Sequence, residues 1–205
     1  MKVLLINGSP KANGNTALAL QEMIRVFREE GIETELMTIG SKAIRGCIGC
    51  NRCEEKGCCV FEDEVNLAAA KFREADGLVV GSPVYYGSAN GTLSAFMDRL
   101  FYSTPFSKAM KVGAAVAVAR RSGTTATFDE LNKYFMISGM PVASSQYWNN
   151  VYGRVPGEAA QDLEGMQTMR MLARNMAFLM KSIALGREKY GMPKEEAHVA
   201  THFIR

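Results

Sequence analysis

The feature that most constrains this chain is a repeated change of hydrophobic period. Short continuous apolar runs alternate with longer stretches in which apolar residues recur three and four apart. Runs of the first kind suit strands buried on both faces and those of the second suit amphipathic helices, so the alternation reads as a parallel α/β sheet. The spacing predicts strands at Val3–Ile6, Glu33–Thr38, Gly77–Val80, Val112–Val118 and Met140–Ser144. Helices are predicted at Ala17–Glu30, Glu64–Glu74, Leu93–Tyr102, Thr127–Ser138 and Glu158–Leu185, with Asp63 placed to cap the second. The last helix carries Leu163, Met166, Met169, Leu172, Met176, Leu179 and Ile183 on one stripe, which is expected to pack on the core. No linker or repeat interrupts the pattern, so residues 1–205 are expected to form a single domain with a cysteine-rich loop at 46–60.

The formal net charge of +3 is small and evenly spread. It predicts no nucleic-acid or membrane-surface partner, because no basic run exists to track phosphates. The opening apolar run stops at Asn7, short of the roughly 7–15 residues of a secretory core. No segment approaches the ~18 consecutive apolar residues of a membrane span. A cytoplasmic protein with small-molecule partners is expected.

A sheet of this kind presents ligand loops beyond the carboxyl ends of its strands. The first, Gly8-Ser9-Pro10-Lys11-Ala12-Asn13-Gly14-Asn15-Thr16, runs directly into a helix. The hydroxyls of Ser9 and Thr16, the amides of Asn13 and Asn15 and the N–H groups of the helix start can together solvate a phosphate. A plain capped turn uses the same residue types. The loop is neither a Walker loop nor a dinucleotide fingerprint. The second loop, Gly81 to Gly91, holds Pro83, Val84, Tyr85, Tyr86 and Gly87. Two adjacent tyrosines in a polar loop cannot both enter the core, which leaves one to lie against a planar ring. The third, Ala119 to Thr125, contains Arg120, Arg121 and Gly123. Cations there would stabilise negative charge on a reduced ring, or else be ordinary solvated arginines.

Gly8-Ser9-Pro10 with Asn15-Thr16, Ser82-Pro83-Val84-Tyr85-Tyr86-Gly87 with Phe96-Met97-Asp98-Arg99, and the Arg120-Arg121-Ser122-Gly123 turn together resemble the NAD(P)H-dependent FMN reductase family. More narrowly, they are similar to the branch that includes the iron–sulfur flavoproteins. The resemblance runs from residue 2 to about residue 150. It implies a flavodoxin-like, doubly wound five-stranded parallel sheet in the order 2-1-3-4-5, helices on both faces, bound FMN and a homodimer or homotetramer. By the same resemblance the phosphate contacts fall on Ser9, Lys11, Asn13, Asn15 and Thr16. The ring contacts fall on Pro83, Val84, Tyr85, Tyr86 and Gly87, with Arg120, Arg121 and Gly123 on the pyrimidine side. The activity implied is transfer of hydride from NAD(P)H to flavin N5 and onward delivery to a small acceptor such as a quinone, free flavin, nitro or azo compound. No side chain is expected to act as acid or base.

All five cysteines fall between Cys47 and Cys59. That crowding favours metal, cluster or thiol chemistry over disulfides. The C-x2-C-x2-C pitch of Cys47, Cys50 and Cys53 suits three corners of a cubane, with Cys59 or Cys58 closing it. It resembles the compact motif of iron–sulfur flavoproteins at Cys47, Cys50, Cys53 and Cys59, which implies a [4Fe-4S] cluster and a ferredoxin-like partner. A zinc site and unmetallated, redox-sensing thiols are the alternatives. His198 and His202 are four apart but lack an acidic partner, and Trp148 reads as a buried indole. No Ser-His-Asp set or paired-carboxylate motif is present, so hydrolysis has no candidates.

Overall fold

The computed structural model describes residues 1–201 and 203. Five parallel strands form the sheet: β1 (Lys2–Asn7), β2 (Glu33–Thr38), β3 (Gly77–Tyr85), β4 (Val112–Ala119) and β5 (Asn150–Tyr152). Their spatial order is 2-1-3-4-5, as the resemblance implied. A two-residue segment, Ser88–Ala89, folds back antiparallel on the end of β3. The long helices are α1 (Asn15–Glu29), α2 (Glu64–Glu74), α3 (Gly91–Ser103), α4 (Thr124–Ile137) and α5 (Leu163–Tyr190), with single turns of helix at Cys53–Lys56 in the cysteine loop and at Glu158–Gln161.

The period-2 geometry of a strand sends alternate side chains of β1 to opposite faces. Val3 and Leu5 pack with Leu20, Met23 and Phe27 of α1 and with Met169, Leu172 and Met176 of α5. Leu4 and Ile6 pack with Phe72 of α2, Phe96 and Leu100 of α3, and Phe135 of α4. Each such side chain, taken fully out of water, contributes roughly 1.5–3 kcal/mol. The methionine stripe of α5 is thus core packing, although Leu163, at the helix start, is exposed. Gly113 in β4 lets α4 come close, since a Cβ there would lie 2.5 Å from the Phe135 ring.

The fifth strand is not where the periodicity put it. Met140–Ser144 makes only an isolated bridge between Val142 and Gly113. Its hydrogen bonds are Gly113 N–H to Pro141 O (2.9 Å) and Ala143 N–H to Gly113 O (2.8 Å). Pro141 has no N–H to extend the ladder. The chain then leaves the sheet through residues 144–149 and rejoins at Asn150, pairing with Ala117–Ala119 at the far end of β4. Trp148 lies on that excursion and is about half exposed, so it is not the buried indole expected. Asp63 caps α2 as predicted, its carboxylate accepting from Val65 N–H. His202 lies outside the described residues. Among the described residues, no helix is long and apolar enough to cross a membrane.

Candidate functional site

The β1–α1 loop is organised by its own short side chains. Asn7 Oδ1 accepts from Ser9 N–H at 3.0 Å, and Ser9 Oγ accepts from Lys11 N–H at 3.2 Å. Gly14 occupies the N-cap of α1 in an extended conformation and makes no side-chain cap. The first backbone bond of the helix is Leu18 N–H to Gly14 O, so the N–H groups of Asn15, Thr16 and Ala17 have no acceptor among the described residues. Helix starts with unpaired N–H groups and a positive dipole end bind anions.

Asn15 and Thr16, at that helix start, line a cleft of about 170 Å³. Ser9, Lys11, Asn15 and Thr16 line it from the first loop, Pro83, Val84 and Tyr85 from the second, and Arg120 from the third. Among the described residues, the charged side chains on its walls, Lys11, Arg120 and Arg154, are all cationic. Asn13, Tyr86, Gly87, Arg121 and Gly123 lie off the walls. Tyr86 is fully exposed at the tip of the β3 turn with φ 52°, and Gly87 follows with φ 83°. Gly123 packs under that tip: its φ is 87°, and a Cβ on it would lie 2.8 Å from both Gly87 Cα and Val84 Cγ1. Glu130 of α4 steadies the same turn by accepting from Ala89 N–H at 3.1 Å and Ser94 Oγ–H at 3.2 Å.

Asn15 is on the cleft wall, but its carboxamide is already engaged. Nδ2 donates to Val155 O at 2.9 Å, while Oδ1 accepts from Gly157 N–H at 3.1 Å and Ala159 N–H at 3.2 Å. What Asn15 offers an anion is its backbone N–H; its side chain ties down the segment after β5. That segment supplies Gly153, Arg154 and Pro156 to the cleft. These residues had no place in the sequence reading, because the end of the fifth strand was set eight residues too early, at Ser144 rather than Tyr152. The available signal was that every strand end in such a sheet contributes a loop.

The cysteine loop lies against α3. Cys47, Cys50, Cys53 and Cys59 share one small hollow with Phe61, Arg99 and Tyr102, while Cys58 is not on its lining. All five thiols are free. Burial pushes the Cys53 thiol above its usual range, and Cys50 and Cys59 add to the rise. Among the described residues, no three Cys, His, Asp or Glu side chains stand close enough to hold a metal ion. The four cysteines nevertheless line one hollow, and thiolates are the donors an iron–sulfur cluster takes.

Arg99 is the buried cation of this region and is 1% exposed. Its Nη1 and Nη2 donate to Asp63 at 2.6 and 2.9 Å, and Nη1 also reaches Arg45 O at 3.2 Å. Nε and Nη2 both donate to Cys59 Sγ at 3.2 Å. Burial alone would lower the guanidinium, but the bonds to Asp63 and Cys59 more than offset it.

The family model for NADPH-dependent FMN reductases matches residues 1–153. An iron–sulfur flavoprotein of Methanocaldococcus jannaschii is 39% identical over 194 residues, covering 89% of this chain and 99% of that protein. Among solved structures, RosB with a bound 8-demethyl-8-formylriboflavin-5'-phosphate intermediate matches 100% of this chain and 94% of its own, with TM-score 0.70 and 17% identity. A flavodoxin from the domain Archaea matches at TM-score 0.60 and 16% identity, covering 88% of this chain and 99% of that one. At these identities the structural likeness speaks to the flavodoxin-like fold.

Proposed function

Because this chain belongs to the NADPH-dependent FMN reductase family, and is thus an FMN-dependent oxidoreductase, we propose that its electrons go from NAD(P)H to a small diffusible acceptor. Quinones, free flavins, nitro and azo compounds are the acceptor classes. The observation that carries this reading is the convergence of three strand-end loops on one cationic cleft beside the uncapped start of α1. Bound FMN supplies the hydride and electron chemistry. The chain's part is to bind and orient. Ser9, Thr16 and the N–H groups of Asn15, Thr16 and Ala17 hold the phosphate, with Lys11 adding charge. Pro83, Val84 and Tyr85 give the ring a stiff wall, and Arg120 stabilises negative charge at its pyrimidine edge. Tyr86, fully exposed beside the cleft, is free to cover the ring or meet a neighbouring subunit of a dimer or tetramer.

The test is to purify the protein, measure bound FMN, and follow NADPH oxidation with a quinone, an azo dye and free FMN as acceptors. Stoichiometric FMN with acceptor-dependent NADPH oxidation is expected. Bound FMN that NADPH and NADH both fail to reduce would overturn it.

A second reading has its own observation. The four thiols around one hollow favour a [4Fe-4S] cluster that relays single electrons between FMN and a ferredoxin-like protein. Thiols acting only as a redox sensor would hold no iron. Anaerobic purification followed by iron and sulfide analysis separates the two.

A further inference from the structure

We propose that Arg99 is a positioning residue for the cysteine hollow, fixing Cys59 Sγ as the closing cluster ligand and raising the reduction potential of the cluster. This rests on the cluster reading of the loop. Its starting point is the donor count. A guanidinium has five N–H donors, and here each has an acceptor: two on Asp63, one on Arg45 O and two on Cys59 Sγ. The contacts that tie α3 to the cap of α2, with the carboxylate and the carbonyl, use three of the five donors. The paired N–H···S contacts are a further commitment, and they fall on Cys59, the one buried cysteine of the five.

The other thiols lack such support. Cys47 Sγ accepts a single bond, from Gly49 N–H at 3.5 Å, and Cys47 and Cys50 are exposed. Arg99 also lies over the Phe61 ring at 5.0 Å, which holds the guanidinium plane in place and keeps water off it. Two charge-assisted N–H groups on one ligand sulfur withdraw electron density and favour the form that carries the added electron. Hydrogen bonds to sulfur and burial are among the factors that set cluster potentials. The exposed acids Glu54, Glu55 and Glu62 act in the opposite direction, but in solvent they are screened more strongly than a buried guanidinium.

The experiment compares wild type, Arg99→Lys and the double variant Arg99→Met with Asp63→Asn, each purified anaerobically and reconstituted with ferrous iron and sulfide. The double variant removes both charges together and keeps an N-cap acceptor at 63. FMN content reports folding, iron and sulfide content report loading, and the cluster midpoint is read by spectroscopic redox titration. At the wild-type midpoint potential, the oxidised-to-reduced ratio of the variant clusters is expected to rise about tenfold, equivalent to 59 mV for one electron. Loss of iron with FMN retained in either variant also supports the proposal, because it shows Cys59 losing its placement. Full iron at an unchanged midpoint in both variants overturns it. If reconstituted wild type takes up no iron, the cluster reading itself has failed, which is a different result.

Discussion

Asn15, in the first turn of α1, and Gly157, beyond the end of β5, are joined by a 3.1 Å hydrogen bond across 142 residues of chain. With the bonds to Val155 O and Ala159 N–H, this makes one carboxamide the anchor of the wall that carries Arg154 and Pro156. Asn15→Ala removes the partner of one acceptor and two donors, of which Ala159 N–H is buried, and is expected to destabilise the apoprotein by about 2 kcal/mol. FMN affinity should fall roughly tenfold as the wall loosens, a loss of about 1.4 kcal/mol. Asn15→Asp keeps the acceptor for Gly157 and Ala159 but not the donor to Val155, and its stability should fall between, while its negative charge on the cleft wall weakens FMN binding further. Urea unfolding and flavin fluorescence titration measure the two effects. An unchanged unfolding midpoint in Asn15→Ala would show the anchor to be idle.

Gly123 is expected to be intolerant for two separable reasons. Its φ of 87° puts an L side chain in the left-handed region, at about 1–2 kcal/mol. An added methyl would also meet Gly87 Cα and Val84 Cγ1 at 2.8 Å and push the β3 turn outward. Gly31, with φ 71° and open space around it, isolates the first effect. Gly31→Ala should lose stability with FMN affinity unchanged, whereas Gly123→Ala should lose both. Equal flavin binding by the two variants would remove Gly123 from the account of the ring site.

Glu22 links α1 to α5 through Arg170 Nη1 at 2.9 Å and is also held by Arg25. Hydrogen bonding from Arg25 is the main cause that lowers its carboxyl below the usual range, with burial opposing and Arg170 adding to the fall. A depressed carboxyl contributes stability that is fully present above its unfolded value near 4.5 and is lost as pH falls through its folded value. Glu22→Gln should therefore be about 1 kcal/mol less stable than wild type at pH 7. The gap should close on the acid side of pH 4.5, in denaturant titrations run at several pH values. A gap that persists undiminished at acid pH would assign the loss to packing instead of charge.

Local patterns made most of the sheet legible. Glu33–Thr38 and Glu64–Glu74 keep the bounds expected of them, the latter because Asp63 is both a cap by type and a cap in fact. The fifth strand was illegible because two separate segments share its place beside β4, and the apolar one contains Pro141 while the one that pairs for longer begins with a polar Asn150. That displacement hid the last wall of the cleft. The burial of Arg99, named only as part of a motif, was hidden for another reason. A charged residue late in a helix reads as solvated, and its burial follows only from Cys59 and Asp63, 40 and 36 residues away, meeting it in space.

Arg154 and Arg121 allow the corrected cleft to be tested against the sequence reading directly. Both are exposed arginines on strand-end loops, yet only Arg154 is on the cleft wall with Lys11 and Arg120. A phosphate dianion in the cleft feels Arg154 through solvent, within the Debye length of about 10 Å at 0.1 M salt. Arg154→Gln should weaken FMN binding several-fold at low ionic strength, an effect of the order of 1 kcal/mol for an exposed charge. Raising the salt should shrink that difference, because screening removes the contribution from wild type that the variant has already lost. Arg121→Gln should bind FMN as wild type does at every salt concentration. The opposite pattern, with Arg121 sensitive and Arg154 silent, would mean that the phosphate is held on the other side of the third loop and that the segment after β5 serves only to close the fold.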